Sequence, residues 1–167
     1  LSNDTDVDIG DMLELLSAEA TSAMGATIGL LDGKLHYDPT TAAAIQALAQ
    51  GETDTDTFTY TVSDGNGGTD TATVSVVLRG VNDAPDARND ARSTSEDSAI
   101  SGNVLANDID AEGDTLAVTN AGAFSSTLGA AVTLAADGSY TYDPTASSAL
   151  QALAGGTSAA DSFSYSV

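Results

Sequence analysis

In Thr55-Asp56-Thr57-Phe58-Thr59-Tyr60-Thr61-Val62 threonine occupies every second position, with Asp56, Phe58, Tyr60 and Val62 between. A strand turns successive side chains to opposite faces, so Phe58, Tyr60 and Val62 share one face and Thr57, Thr59 and Thr61 the other. β-Branched and aromatic residues suit such a half-buried strand. Ser63-Asp64-Gly65-Asn66-Gly67-Gly68 follows as dense turn chemistry, and alternation resumes over 69–78. Together these segments predict a β-hairpin with a loop longer than two residues. The same pattern returns as Phe163-Ser164-Tyr165-Ser166-Val167.

The return is general. Leu1-Ser2-Asn3-Asp4-Thr5-Asp6 is answered by Leu105-Ala106-Asn107-Asp108-Ile109-Asp110, Tyr37-Asp38-Pro39 by Tyr142-Asp143-Pro144, and Gln46-Ala47-Leu48 by Gln151-Ala152-Leu153. The offset grows by one residue between the first of these pairs and the later ones. A period of about 100 residues exceeds that of solenoid units and matches a small domain. We expect a repeat over 1–80 lacking its first strand, a linker over 81–87, and a second repeat over 88–167 lacking its last strand. The sequence reads as a piece of a longer tandem array.

Shorter strands are expected at Leu13–Leu16, Ala26–Leu31 and Lys34–Tyr37, with counterparts at Leu116–Thr119, Ala131–Leu134 and Ser139–Tyr142. Residues 88–104 should supply the opening strand or strands of the second copy. Asp32-Gly33 and Asp137-Gly138 are turn signals. Pro39 to Gly51 and Pro144 to Gly155 each carry proline in front, alanine-rich interiors and a closing glycine, which predicts one short helix per copy. Many short strands at this spacing indicate an all-β protein of tandem immunoglobulin- or cadherin-like β-sandwiches. Pro85 holds Ala84 extended, so the linker Arg79 to Ala87 should be stretched.

The 167 residues carry 4 Lys and Arg against 25 Asp and Glu, a net charge of −21. That surface repels phosphate backbones and argues against nucleic-acid binding. With no cysteine, disulfides and thiolate metal sites are excluded. No stretch approaches the ~20 apolar residues of a membrane-spanning helix, and no signal peptide is visible. Twenty of the acidic residues are Asp, a compact hard-oxygen ligand and a good turn residue.

These residues cluster. Asn107, Asp108, Asp110, Glu112 and Asp114 place oxygen ligands at alternate positions around Gly113, and Asn3, Asp4, Asp6, Asp8 and Asp11 do so around Gly10. Such loops can converge on Ca²⁺, which takes 6–8 oxygens; the alternative is an Asp/Asn-rich turn. The spacing is not that of an EF-hand. Asn82, Asp83 and Asp86 add ligands in the linker, and Glu96 and Asp97 just inside the second copy. If the domains meet end to end, linker and loop could share ions. Glu52, Asp54 and Asp56 before the Phe58 strand read equally as exposed loop charge or as ligands. Asp64-Gly65-Asn66 reads first as a turn.

Val81-Asn82-Asp83-Ala84-Pro85 resembles the inter-domain linker of cadherins, and Asp108-Ile109-Asp110 their Asp-x-Asp calcium pair. Gly80 stands where that linker usually has an acidic residue, and a Leu-Asp-Arg-Glu motif is not recognisable. The whole sequence is similar to the VCBS/cadherin-like repeats of bacterial RTX-type adhesins. The matching pieces include Gly80 to Pro85, Ser95-Glu96-Asp97, Asn103 to Asp108, Gly113 to Leu116, the Tyr-Asp-Pro segment and Asp56 to Gly65. That resemblance implies an immunoglobulin-like sandwich, type I secretion to the bacterial surface, and a part in attachment, aggregation and biofilm formation. It also implies a calcium-ligand role for Asn82, Asp83, Asp108 and Asp110. An alternative from the same resemblance is a calcium-dependent lectin for exopolysaccharide or a cell-surface glycan, with Tyr37 or Tyr142 stacking on sugars or, alternatively, packed in the core. Exposed sheet edges leave self-association open. Direct membrane insertion is not expected.

Catalysis is poorly supported. His36 is the single histidine, Thr141 takes its place in the second copy, and no nucleophile set assembles around it. The glycine-rich stretch at 64–68 leads into a strand, which is wrong for a phosphate loop.

Overall fold

The computed structural model describes residues 1–8 and 10–167. Ile9, within the first acidic loop, lies outside the described residues. The fold is all-β with antiparallel sheets, of the immunoglobulin/cadherin-like sandwich type. The protein divides into two units, Leu1–Asp83 and Ala84–Val167.

Unit 1 contains β1 (Glu14–Ala18), β2 (Thr27–Leu31), β3 (Lys34–Asp38), α1 (Ala43–Gln46), β4 (Thr53–Ser63) and β5 (Thr69–Arg79). One sheet runs β1-β4-β5 and the other β2-β3. The alternation in β4 acts as expected: Phe58, Tyr60 and Val62 are buried, and β5 pairs with β4 from Thr53↔Arg79 to Ser63↔Thr69 without a break. Tyr37 of β3 stacks on Phe58 at 6.3 Å between ring centres, which joins the two sheets. Burial of a side chain such as Phe58 stabilises the fold by about 2–3 kcal/mol. Ala26, Ala42, Ile45 and Leu48 form the core beneath α1.

Unit 2 contains β6 (Ile100–Asn103), β7 (Gly122–Ser125), β8 (Ala131–Leu134) and β9 (Ser139–Asp143) in one sheet of order β6-β9-β8-β7. Val104, Val118, Leu134 and Tyr140 make its core. Phe163 packs against Phe124 and Tyr140 at 5.9 and 5.4 Å.

Three expectations change. Leu116–Thr119 is not a strand; Gly122–Ser125 is the strand in that region, paired with β8. Phe163–Val167 keeps inward Phe163 and Tyr165 but makes only spaced backbone bonds, Thr127 N to Ser162 O (2.9 Å) and Thr119 N to Ser166 O (2.8 Å). The helices shrink. α1 is a single turn, and Pro144 to Gly155 forms successive turns instead, with Gln151 N bonded to Ser147 O. Serine explains the second case: Ser147 Oγ donates to Leu128 O and accepts from Leu150 N, giving the backbone an alternative to the helical ladder.

The repeat drift also finds its place. β2 and β3 close through the two-residue turn Asp32-Gly33, both at positive φ (51° and 70°), the twist-matched hairpin turn. β8 and β9 close through a longer loop, Ala135 N bonding Ser139 O, with Gly138 at φ 81°. The extra residue is absorbed in that loop.

Candidate functional site

Each unit is built around one inward carboxylate. Asp56 follows the alternation of β4 inward and is fully buried. Its carboxylate accepts from Met24 N (2.9 Å), Thr57 N (2.8 Å) and the Tyr37 hydroxyl (2.6 Å), and Ser22 adds a hydrogen bond. Burial pushes its pKa up, but these donors outweigh burial and hold it below the usual carboxylate range. Asp161 repeats the arrangement with Leu128 N (2.8 Å), Ser162 N (2.8 Å), Tyr142 (2.7 Å) and Ser126, and adds Thr127 Oγ1 at 2.7 Å. Its pKa also falls well below the ordinary value, against the opposing effect of burial. Burial first, then the bonded carboxylate, pushes Tyr37 and Tyr142 up to about 12. Asp56 is therefore neither an exposed charge nor a loop ligand. Tyr37 and Tyr142 are committed to packing and to these carboxylates, not to an outward face for sugars.

In each unit a tyrosine four residues after this carboxylate ties the acidic loop to the segment that carries it. In unit 1, Tyr60 donates to both oxygens of Asp4 (3.0 and 2.9 Å). In unit 2, Tyr165 does the same to Asp108 at the same distances, and also reaches Val104 O and Arg88 O, each at 3.1 Å. One tyrosine thus fixes the mouth of each loop.

Beyond that anchor the loops differ. Asp6, Asp8 and Asp11 bring one carboxylate oxygen each within 4.8 Å of the others. Oxygens around one Ca²⁺ at about 2.3–2.6 Å lie no more than about 5 Å apart, so this group suits the ion in donor type and size. Asp6 Oδ1 also accepts Asp8 N (2.7 Å), which bends the loop. Asp11 Oδ2 accepts Asn66 Nδ2 (2.9 Å) from the β4–β5 loop. Asn3 is exposed.

In unit 2, Asp108, Asp110, Glu112 and Asp114 do not close into such a group; among the described residues only the unit 1 triplet does. Asp110 Oδ1 is occupied by Glu112 N (3.2 Å) and Asp114 N (3.0 Å), and Asp108 Oδ1 by Arg88 N (2.7 Å). A different feature appears there. Asn107 donates to Arg88 O (3.3 Å) and Asn89 O (3.2 Å), while its Oδ1 is buried without a hydrogen-bond partner among the described residues. Asp90 is pushed above the usual carboxylate range by burial and then by the charge of Asp108, partly offset by Arg92. An unmet oxygen beside mutually repelling carboxylates is chemistry that a cation would satisfy.

The remaining predicted residues have local partners of their own. Asn82 Nδ2 donates to Asp83 O (2.6 Å). Glu96 and Asp97 form a turn in which the Glu96 carbonyl accepts Gln151 Nε2 (2.6 Å). Glu52 caps Ala49 N (3.0 Å) and Asp54 binds Thr55 N (2.7 Å). His36 is exposed on β3 opposite Gly29. The sequence reading weighs Asp56 only as an exposed charge or a ligand and does not single out Asp161 or Asp90. The period of two in the Phe58 strand could have placed Asp56 inside, whereas nothing local marks Asp90.

Two successive domains of immunoglobulin-like type, each with an acidic loop anchored to its sheet, define an adhesion-type module. The protein belongs to the bacterial cadherin-like domain family, which matches residues 1–80 and again residues 82–167. No curated protein matches the sequence. Among the described residues no helix is long and apolar enough to cross a membrane.

Proposed function

We propose that this protein is a calcium-binding repeat module of a secreted bacterial adhesin, stiffened by the ion and serving surface attachment, aggregation and biofilm formation. The observation that carries this reading is the convergence of Asp6, Asp8 and Asp11 in a cadherin-like domain of strongly negative charge. In unit 1 these three residues would hold the ion. In unit 2 the candidates are Asn107 Oδ1, Asp108 and Asp90. The bound ion supplies charge neutralisation and a fixed loop geometry. The protein supplies hard oxygens and a tyrosine that holds each loop against its sheet.

Extracellular calcium modules bind at about 10⁻⁴–10⁻³ M. Calcium at ten times such a constant stabilises the folded state by about 1.4 kcal/mol per site. Calorimetric titration should therefore show heat, and melting should shift upward. Asp6→Ala with Asp8→Ala should remove the unit 1 site, and Asp108→Ala the unit 2 site. Identical melting in calcium and in chelator, with no heat of binding, would sink the proposal.

A second reading is a glycan-binding module. Equivalent shallow grooves occur in the two units, one lined by Thr21, Ser22, Thr57 and Thr59 beside Phe58, the other by Ser125, Thr127, Ser162 and Ser164 beside Phe163. The grouped hydroxyls offer a sugar hydrogen-bond partners, while Phe58 is turned into the core. Titration with exopolysaccharide, with and without calcium, separates the readings: saturable binding favours the lectin, and calcium binding without it favours the spacer.

A further inference from the structure

Asn66-Gly67 is the only Asn-Gly pair in the sequence. It lies at the exposed tip of the β4–β5 loop. Asn-Gly is the dipeptide in which a backbone nitrogen most easily reaches the amide carbon of the preceding residue's side chain, because glycine offers no Cβ to obstruct the approach. The local bonding leaves the necessary nitrogen available. Asp64 Oδ1 accepts Asn66 N (2.7 Å) and Gly68 N (2.9 Å), which pins both flanks of the loop. Gly67 N, between them, donates no hydrogen bond to any described residue. Two of the three other Asx-Gly pairs contrast with this; the third, Asp32-Gly33, is an aspartate and has no side-chain amide to lose. Gly138 N is bonded to Ala135 O while Asp137 is bonded to Ser139, and Gly65 N is bonded to Ser63 Oγ while Asp64 is itself engaged.

We propose that Asn66 is a self-modification site, converting to aspartate and isoaspartate through attack by the Gly67 backbone nitrogen, at a rate held down by Asp11. The Gly67 nitrogen forms a bond to Asn66 Cγ and loses its proton to solvent base. The Asn66 Cγ–Nδ2 bond breaks as Nδ2 takes a proton from solvent and leaves as ammonia, giving a cyclic imide. Water then adds to either imide carbonyl and opens the ring, yielding aspartate or its isomer with no change of oxidation state. Asp11 opposes the first step, since its carboxylate accepts the departing amide's hydrogen at 2.9 Å and fixes that side chain in place. The product has two consequences. A carboxylate replaces the donor that faced Asp11, adding a fourth negative charge near Asp6, Asp8 and Asp11. The isomer also lengthens the backbone between the two N–H groups held by Asp64.

The experiment is prolonged incubation of the full-length protein in mildly alkaline buffer, followed by peptide mass mapping and isoaspartate analysis. Chelator is present throughout, so the outcome does not depend on calcium. The expected result is a mass gain of amide-to-acid replacement at Asn66, several-fold faster than at Asn120, and faster again in Asp11→Ala. In Asn66→Gln the signal should vanish, because ring closure from the longer side group is much slower. A rate at Asn66 no higher than at Asn120 would overturn the proposal. Equal rates in the parent protein and in Asp11→Ala would overturn the guarding role of Asp11.

Discussion

The two units carry the same buried carboxylate and solve its environment differently. Asp56 is sealed completely, and four donors meet it. Asp161 is partly exposed and takes an additional hydroxyl from Thr127, where unit 1 has Ala23. Shielding and hydrogen bonding are thus exchanged between copies while the tyrosine, the serine and the two backbone donors stay fixed. The invariant part is the wiring that ties the β4-type strand to the hairpin. The variable part lies in turns and at the rim.

The sharpest way to break this likeness is to remove the carboxylates. Asp56→Ala should cost about 3–5 kcal/mol, because several buried donors lose their acceptor at once. Asp161→Ala should cost less, about 2–3 kcal/mol, since water can reach the vacancy; urea unfolding of each variant measures both. The hairpin turns give the next largest contrast. A Cβ at Gly138 would run into Asn103 and Leu105, whereas at Gly33 it would meet open space. Gly33→Ala should therefore cost about 1 kcal/mol for its positive φ alone, and Gly138→Ala clearly more. Equal losses would show that unit 2 tolerates repacking there.

Smaller effects belong to the loop anchors. Tyr165→Phe and Tyr60→Phe should each destabilise their unit by about 0.5–1.5 kcal/mol, since each hydroxyl has one proton to donate and its main acceptor is the loop carboxylate. The last contrast is silent at neutral pH. Tyr37, Tyr142 and Tyr165 have folded pKa values raised to about 12. Their contribution is whole below the ordinary tyrosine value of about 10 and is lost as pH rises through the folded value. Asp56 and Asp161 act in the opposite sense: their contribution is present above about 4 and fades only as pH falls through their depressed values. Ultraviolet titration of the phenols, alongside melting across the pH range, checks both signs.

Much of the architecture is legible in the sequence, for identifiable reasons. The alternation ending at Val62 forms a strand because β5 pairs with it along its whole length, whereas the same pattern at Phe163–Val167 does not form one, and Asp32-Gly33 permits little except a tight turn. The Ala-rich stretches mislead because helix formers of that length need tertiary packing to persist, and Ser147 offers the backbone other bonds. Which acidic loop closes cannot be read from spacing. Asp6 and Asp8 correspond to Asp110 and Glu112, and Asp6 and Asp110 each accept a backbone N–H from two residues on, yet among the described residues only Asp6, Asp8 and Asp11 converge. Asp90 is invisible because its proximity to Asp108 is made by the fold.

The unbroken ladder between β4 and β5, eleven residues on each strand, also has a mechanical meaning. Tension that draws Arg79 along the strand axis while β4 is held must slide the whole ladder together. Tension across the axis opens one pair at a time. The first geometry resists load far longer than the second, so unit 1 should behave as a latch whose strength depends on the direction from which it is pulled.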